Sequence, residues 1–151
     1  MPTPAITRDI ARFALHAKAS DMPAPVLHEG KRAILNWLAC SIAGSQTDSV
    51  ISALAVANEL SGPRVATVLG RREKLDVSHA ALVNGVSADV LSFSDTHPAT
   101  LMHPGGVVGS ALLGLAERDH INGSDFLHAL IVGYDVGCRI GLAIYPWHYN
   151  R

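Results

Sequence analysis

The stretch Phe126–Tyr145, FLHALIVGYDVGCRIGLAIY, decides between two kinds of protein. It is apolar and long enough to cross a bilayer. It also holds His128, Asp135 and Arg139, and ionisable groups at mid-depth are costly in lipid. The stretch therefore reads as a buried helix of a soluble protein, with no membrane partner. Asp135 and Arg139 stand four apart, acid first, which predicts a partly buried, structural intrahelical ion pair. Gly133, Gly137 and Gly141 share one ridge of this helix. Gly106, Ser110 and Gly114 repeat the pattern upstream. Small residues at this spacing let backbones approach closely. Each mid-helix glycine costs up to about 1 kcal/mol against alanine. The two ridges are therefore predicted to face each other or another helix.

Outward from that stretch the same period recurs. Ile6, Ile10, Phe13, Ala14 and Ala17 mark an amphipathic helix over about Thr7–Lys18. Ser20–Pro25 is a break that opens a second helix, whose stripe is Leu27, Ile34, Leu35, Leu38 and Ile42, with Gly44 as its stop. A third helix covers Asp48–Leu60. Val65–Leu69 is a short strand pairing with Lys74–Leu75. Asp76 caps a fourth helix running to about Ser92. Pro104 opens a fifth, where its missing N–H is harmless, with Val107, Val108, Ala111, Leu112, Leu115 and Ala116 as its buried stripe. Asn122–Asp125 is the turn and cap of the sixth. The fold class is mainly α, about six helices in a bundle with at most a short β-hairpin near residues 65–75.

Composition agrees. The chain has 151 residues, 48% of them hydrophobic and 17% charged. It has 21 alanines and 17 leucines against 8 aromatic residues, which favours helix over sheet. The mean hydropathy of +0.23 excludes a disordered chain. A net charge of -1 without a basic stripe excludes nucleic acid as a partner. Cys40 and Cys138 lie in apolar helical stretches and read as two buried thiols of a reducing compartment, with a disulfide as the alternative the sequence leaves open. Met1–Ile10 lacks the apolar core of a signal peptide, so the expected location is cytoplasmic.

The densest polar cluster is the interhelical run Ser92–Gly106. It supplies Ser92, Asp95, Thr96, His97 and His103 ahead of Pro104-Gly105. His103 precedes a proline, is biased away from α, and falls at the N-cap position of the fifth helix. The positive end of the helix dipole there suits a carboxylate ligand. An imidazole titrating near neutrality could move a proton at a carbon beside that carboxylate. The plainer reading of such a loop is capping and turn chemistry. Asp95, His97 and His103 have no recognised ligand spacing and no cysteine nearby, so no metal is expected. No phosphate-binding loop, dinucleotide fingerprint or nucleophile elbow is present.

Several runs taken in order resemble one family. They are Ile34-Leu35-Asn36-Trp37-Leu38-Ala39-Cys40, Ala81-Leu82-Val83-Asn84-Gly85, Phe93-Ser94-Asp95-Thr96-His97, His103-Pro104, and Gly133-Tyr134-Asp135 through Arg139-Ile140-Gly141. Together they resemble the MmgE/PrpD family over residues 7–149. That family includes 2-methylcitrate dehydratases, cis-aconitate decarboxylases and iminodisuccinate epimerases. The resemblance implies homodimers with a large all-α domain and a smaller α+β lid, no cofactor, and proton movement at a carbon of a small di- or tricarboxylate. It places Asp95, Thr96 and His103 as catalytic residues and Ser92, His97 and Gly105 as substrate-binding residues. Two departures stand out. The family's aspartates at the start of this motif are Ser92 and Ser94 here, and a serine cannot act as a base near neutral pH. Family members are also much longer. Residues 1–151 therefore read as one incomplete helical domain, its lid absent, broken off after Tyr149-Asn150-Arg151 before a further expected histidine. Alone it is expected to be inactive, to expose apolar surface and to associate. The alternative is a degenerate binding or dimerisation module that pairs with itself or with a full-length homologue.

Overall fold

The computed structural model describes residues 5–147. Residues 1–4 and the terminal 148–151 lie outside the described residues, and with them the start of the N-terminal segment and the proposed break at Arg151. Six α-helices follow one another: α1 Ile6–His16, α2 Ala24–Gly44, α3 Asp48–Leu60, α4 Val77–Asp89, α5 Pro104–Asp119 and α6 Gly123–Ile144. A helical turn at Ala19–Asp21 joins α1 to α2. Strands β1 Ala66–Thr67 and β2 Lys74–Leu75 form a two-stranded antiparallel sheet with Ala66 opposite Leu75. The mainly helical fold and its short hairpin are as the sequence predicts.

The ends have local causes. The Asp76 carboxylate accepts the backbone N–H groups of Ser78 and His79 and starts α4. The Asn122 side chain accepts the N–H of Asp125 and starts α6. Helix α4 stops at Asp89 rather than Ser92. Ser92 takes a positive φ of 55°, which a helix interior does not admit, and its N–H turns back to the Asp89 carbonyl.

One part of the molecule packs by large apolar side chains. Val50 and Leu54 of α3, Val68 and Leu75 of the hairpin, and Val83 of α4 are buried together. Asn84 of α4 is buried beneath the hairpin. Its Oδ1 accepts the N–H of Leu69 at 2.8 Å, and its Nδ2 donates to the Thr67 carbonyl at 2.9 Å. Both halves of one buried amide are thus used to hold the hairpin on the helix.

On α2 and α5 the buried faces are mostly small residues, and α1 has no buried face, which corrects three predicted stripes, while α6 does bury Leu127, Leu130 and Val132. Helix α2 buries Gly30, Trp37, Cys40, Ser41 and Gly44, while Leu35 is 69% exposed. Helix α5 buries Pro104, Gly105, Gly106, Gly109, Ser110 and Gly114, while Val107 is 73% exposed. Helix α1 buries nothing. On α2 and α5 the reason is close backbone approach. A methyl on Gly44 would run into the Ser87 carbonyl of α4, and one on Gly109 would stand 2.6 Å from the Trp37 ring. The Trp37 indole N–H donates to Ser110 Oγ at 3.1 Å, and its ring stacks on Phe126.

The glycine ridges also divide. On α5, Gly106 meets Ala88 and Gly114 meets Val77, so that ridge faces α4. On α6, Gly133 lies against Val108 of α5, Gly141 against the loop residues Thr100 and Met102, and Gly137 against nothing within 4 Å. The two ridges do not face each other. Helix α6 remains long and apolar enough to cross a membrane, and only 17% of its most apolar window is buried, less than the sequence predicts. Helices α1, α2 and α5 all touch it, but they do not surround it. The Asp135–Arg139 pair forms at 2.8 Å, but Arg139 is exposed and lies over the Phe13 ring, so this pair is not buried.

Candidate active site

The loop between α4 and α5 is held from outside. The Asn36 side chain of α2 accepts the Asp95 N–H at 3.0 Å and donates to the Phe93 carbonyl at 3.2 Å. Inside the loop, His97 N–H donates to the Met102 carbonyl, and its ring Nδ1 meets Thr100 Oγ1 at 2.8 Å. Leu101 closes this turn at a positive φ of 56°. His97 therefore shapes the loop and does not share in the cluster around His103.

Four residues converge on one imidazole. His103 Nδ1 lies 3.1 Å from the Asp95 carbonyl oxygen, 3.1 Å from Ser94 Oγ and 3.4 Å from Thr96 Oγ1. A carbonyl only accepts, so Nδ1 carries the proton and donates. In the neutral imidazole this geometry puts the lone pair on Nε2, the form of a general base. Ser94 in turn donates to Asp89 Oδ1 at 2.8 Å, and that oxygen is 3.9 Å from His103 Nδ1. His103 is the N-cap residue of α5 in position, but its side chain does not cap.

Asp95 takes up part of the helix start instead. Its Oδ2 accepts the Gly105 N–H at 3.2 Å. Gly105 is buried beneath Asp95 and the Tyr134 hydroxyl, with no room for a side chain. A negative group does sit at the positive end of α5, and it is the protein's own. Burial pushes the Tyr134 phenol far above its ordinary range, and the Asp95 carboxylate adds to the effect. Burial likewise raises the Cys40 and Cys138 thiols, and nearby carboxylates add to it, which disfavours both thiolates; both cysteines are free.

Of the predicted site residues, Asp95, Thr96 and His103 come together, and Gly105 lies directly beneath Asp95. Ser92 is exposed and turned out by its positive φ, and His97 faces Thr100. Sequence reasoning missed Asn36, Asp89, Ser94 and Tyr134 as members of this cluster. Asn36 and Tyr134 stood within the runs that carried the family resemblance, which was the available signal. A cleft of about 1210 Å³ opens between α1, the 19–21 turn, α2 and α6. Phe13, Val26 and Ile131 give it apolar walls, and Asn36, Asp95 and Tyr134 are among its polar lining. His103 does not line it. Among the described residues no three His, Cys, Asp or Glu side chains stand close enough to share a metal ion.

Residues 8–150 match the MmgE/PrpD N-terminal domain. The chain belongs to the MmgE/PrpD family. It is 29% identical over 147 residues to a cis-aconitate decarboxylase-like protein of Aspergillus oryzae, covering 93% of this chain and 30% of that protein. It is 30% identical over 145 residues to the cis-aconitate decarboxylase of Aspergillus terreus, with the same two shares. It is 33% identical over 141 residues to the human cis-aconitate decarboxylase, covering 89% of this chain and 29% of that enzyme. The chain thus spans about 30% of the length of these MmgE/PrpD relatives.

Proposed function

We propose that this chain is the N-terminal part of the helical domain of a lyase or isomerase that moves a proton at a carbon beside the carboxylates of a small di- or tricarboxylic acid. The observation that carries this reading is the state of His103. Its Nδ1 faces the Asp95 carbonyl, so Nε2 is the ring nitrogen left to take a proton from carbon and return it. Asp95 fixes the imidazole through its backbone and the start of α5 through its side chain. Thr96 adds a hydroxyl beside the same ring. The relatives' names make cis-aconitate the first acid to try. In this proposal the 151 residues bind such an acid but do not turn it over. Two of the family's carboxylates are serines here, and one of them, Ser94, is committed to Asp89.

An NMR titration of the chain with cis-aconitate tests the reading. Resonances of Thr96, His103 and Gly106 are expected to move, and the response is expected to vanish in His103→Ala. No response at millimolar acid overturns it. Release of carbon dioxide from cis-aconitate by the chain alone overturns the inactive part of the proposal. The second reading, a module that pairs with itself or a full-length homologue, is favoured by the exposure of Leu35 and Val107 on neighbouring helices. A monodisperse monomer by size exclusion with light scattering, unchanged by added homologue, counts against it.

A further inference from the structure

Two oxygens at the centre of the cluster are out of solvent contact and have no hydrogen-bond partner among the described residues: Asp95 Oδ1 and Tyr134 Oη. They converge on one point. A methyl built on Gly105 would touch Asp95 Oδ1, and would lie 2.6 Å from Tyr134 Oη. The other oxygen of the same carboxylate already holds the Gly105 N–H. A carboxylate can only accept, and an un-ionised phenol has one proton to give. Burial keeps that proton on Tyr134. Native proteins rarely leave two such atoms unpaired side by side.

We propose that Tyr134 of α6 is a positioning residue for Asp95, its hydroxyl donating to Asp95 Oδ1 across Gly105. The carboxylate is then held on both oxygens, by the Gly105 N–H and by Tyr134, while Asn36 holds its backbone N–H. The Asp95 carbonyl fixes His103 Nδ1, so Tyr134 acts on the imidazole through Asp95. This assigns α6 a part in the site that its apolar sequence conceals. It also explains why position 105 is glycine, since any side chain would wedge the pair apart. The inference rests on the proposed function only in taking Asp95 and His103 as the working groups.

Proton NMR on the whole chain reads the bond directly. A hydroxyl proton shielded from exchange is expected downfield in the wild type, absent in Tyr134→Phe, and lost or moved upfield in Asp95→Asn. A hydroxyl proton indifferent to Asp95→Asn, or none in the folded wild type, overturns the proposal. Should Asp95→Asn fail to fold, the carboxyl ¹³C resonance of Asp95 is compared between wild type and Tyr134→Phe. An unmoved resonance overturns it equally. Cis-aconitate affinity is expected to fall about tenfold in Tyr134→Phe with helicity unchanged. A hydroxyl signature that responds to Asp95→Asn without any acid binding sinks the proposed function and leaves the pairing. Acid binding with an indifferent signature sinks the pairing alone.

Discussion

Between α3, α4 and the hairpin, the buried side chains are Val50, Leu54, Val68, Leu75 and Val83. Where α2, α5 and α6 pack on one another and on α4, the buried positions include Gly30, Gly44, Gly105, Gly106, Gly109 and Gly114, beside Trp37 and the α6 residues Leu127, Leu130 and Val132. The first region removes apolar area from water, the usual source of stability. The second brings backbones close and leaves Leu35, Ile42 and Val107 outside. Large residues in the first region are held by what they cover. Small residues in the second are held by what they allow, namely α4 against α2 and α5, and the loop 92–103 against the start of α5.

Opposite substitutions should therefore damage the two regions. Leu54→Ala empties a packed site and is expected to cost about 3 kcal/mol in a denaturant titration. Gly44→Ala adds one methyl, yet that methyl meets the Ser87 backbone carbonyl, which cannot swing aside. A loss of about 3 kcal/mol is expected there too. If Gly44→Ala proves neutral, α2 and α4 are not in close contact in solution, and the contrast between the regions fails.

This contrast also explains what could be read from sequence. Helix periods, the Asp48–Leu60 span, the Lys74–Leu75 pairing and the Asp76 cap were legible because each rests on local chemistry. The buried faces of α2 and α5 were not. Periodicity finds the apolar stripe, and burial there follows the glycines instead. In the site, Asp95, Thr96 and His103 were legible from motif order and from the proline after His103. Asn36 and Tyr134 come from distant helices, and Asp89 closes α4 outside the motif, so only tertiary structure brings them in. Ser92 and His97 share the motif, but a positive φ and a local turn direct them elsewhere.

Acid should act on the first region through Asp76, which ties the start of α4 to Ser61 and Gly62. The Gly62 N–H and then His79 hold this carboxylate well below the ordinary range, with the His79 N–H and Ser61 Oγ adding to them. A depressed folded-state pKa stabilises the fold above the unfolded value and is lost as pH falls through the folded one. Melting temperature is therefore expected to fall below about pH 4. Asp76→Asn, which keeps a capping side chain, should flatten that acid limb. An unchanged acid limb would show that the ties of Asp76 do not hold the first region together.

The exposed stripes of the second region predict behaviour between molecules. Leu35→Glu and Val107→Glu should each change unfolding free energy by less than about 0.5 kcal/mol. Each should also lower the mass measured by light scattering, if those faces are where the chain associates. A clear loss of monomer stability in either variant would mean that the stripe is covered within one chain, and the second region would then resemble the first.

The smallest effect is the most discriminating. Gly133, Gly137 and Gly141 share a ridge of α6, but only Gly137 has nothing within 4 Å of an added methyl. Alanine there recovers helix propensity without a collision, and Gly137→Ala is expected to gain up to about 1 kcal/mol. Gly133→Ala meets Val108 and Gly141→Ala meets Met102, so both should lose stability in the same titration. The sign difference along one ridge tests whether a glycine in this helix serves a contact or merely tolerates one. If Gly137→Ala also destabilises, and does so more at high protein concentration, a second copy covers that face of α6. The glycine there would then obey the same rule of close approach that Gly44 and Gly109 obey inside the chain.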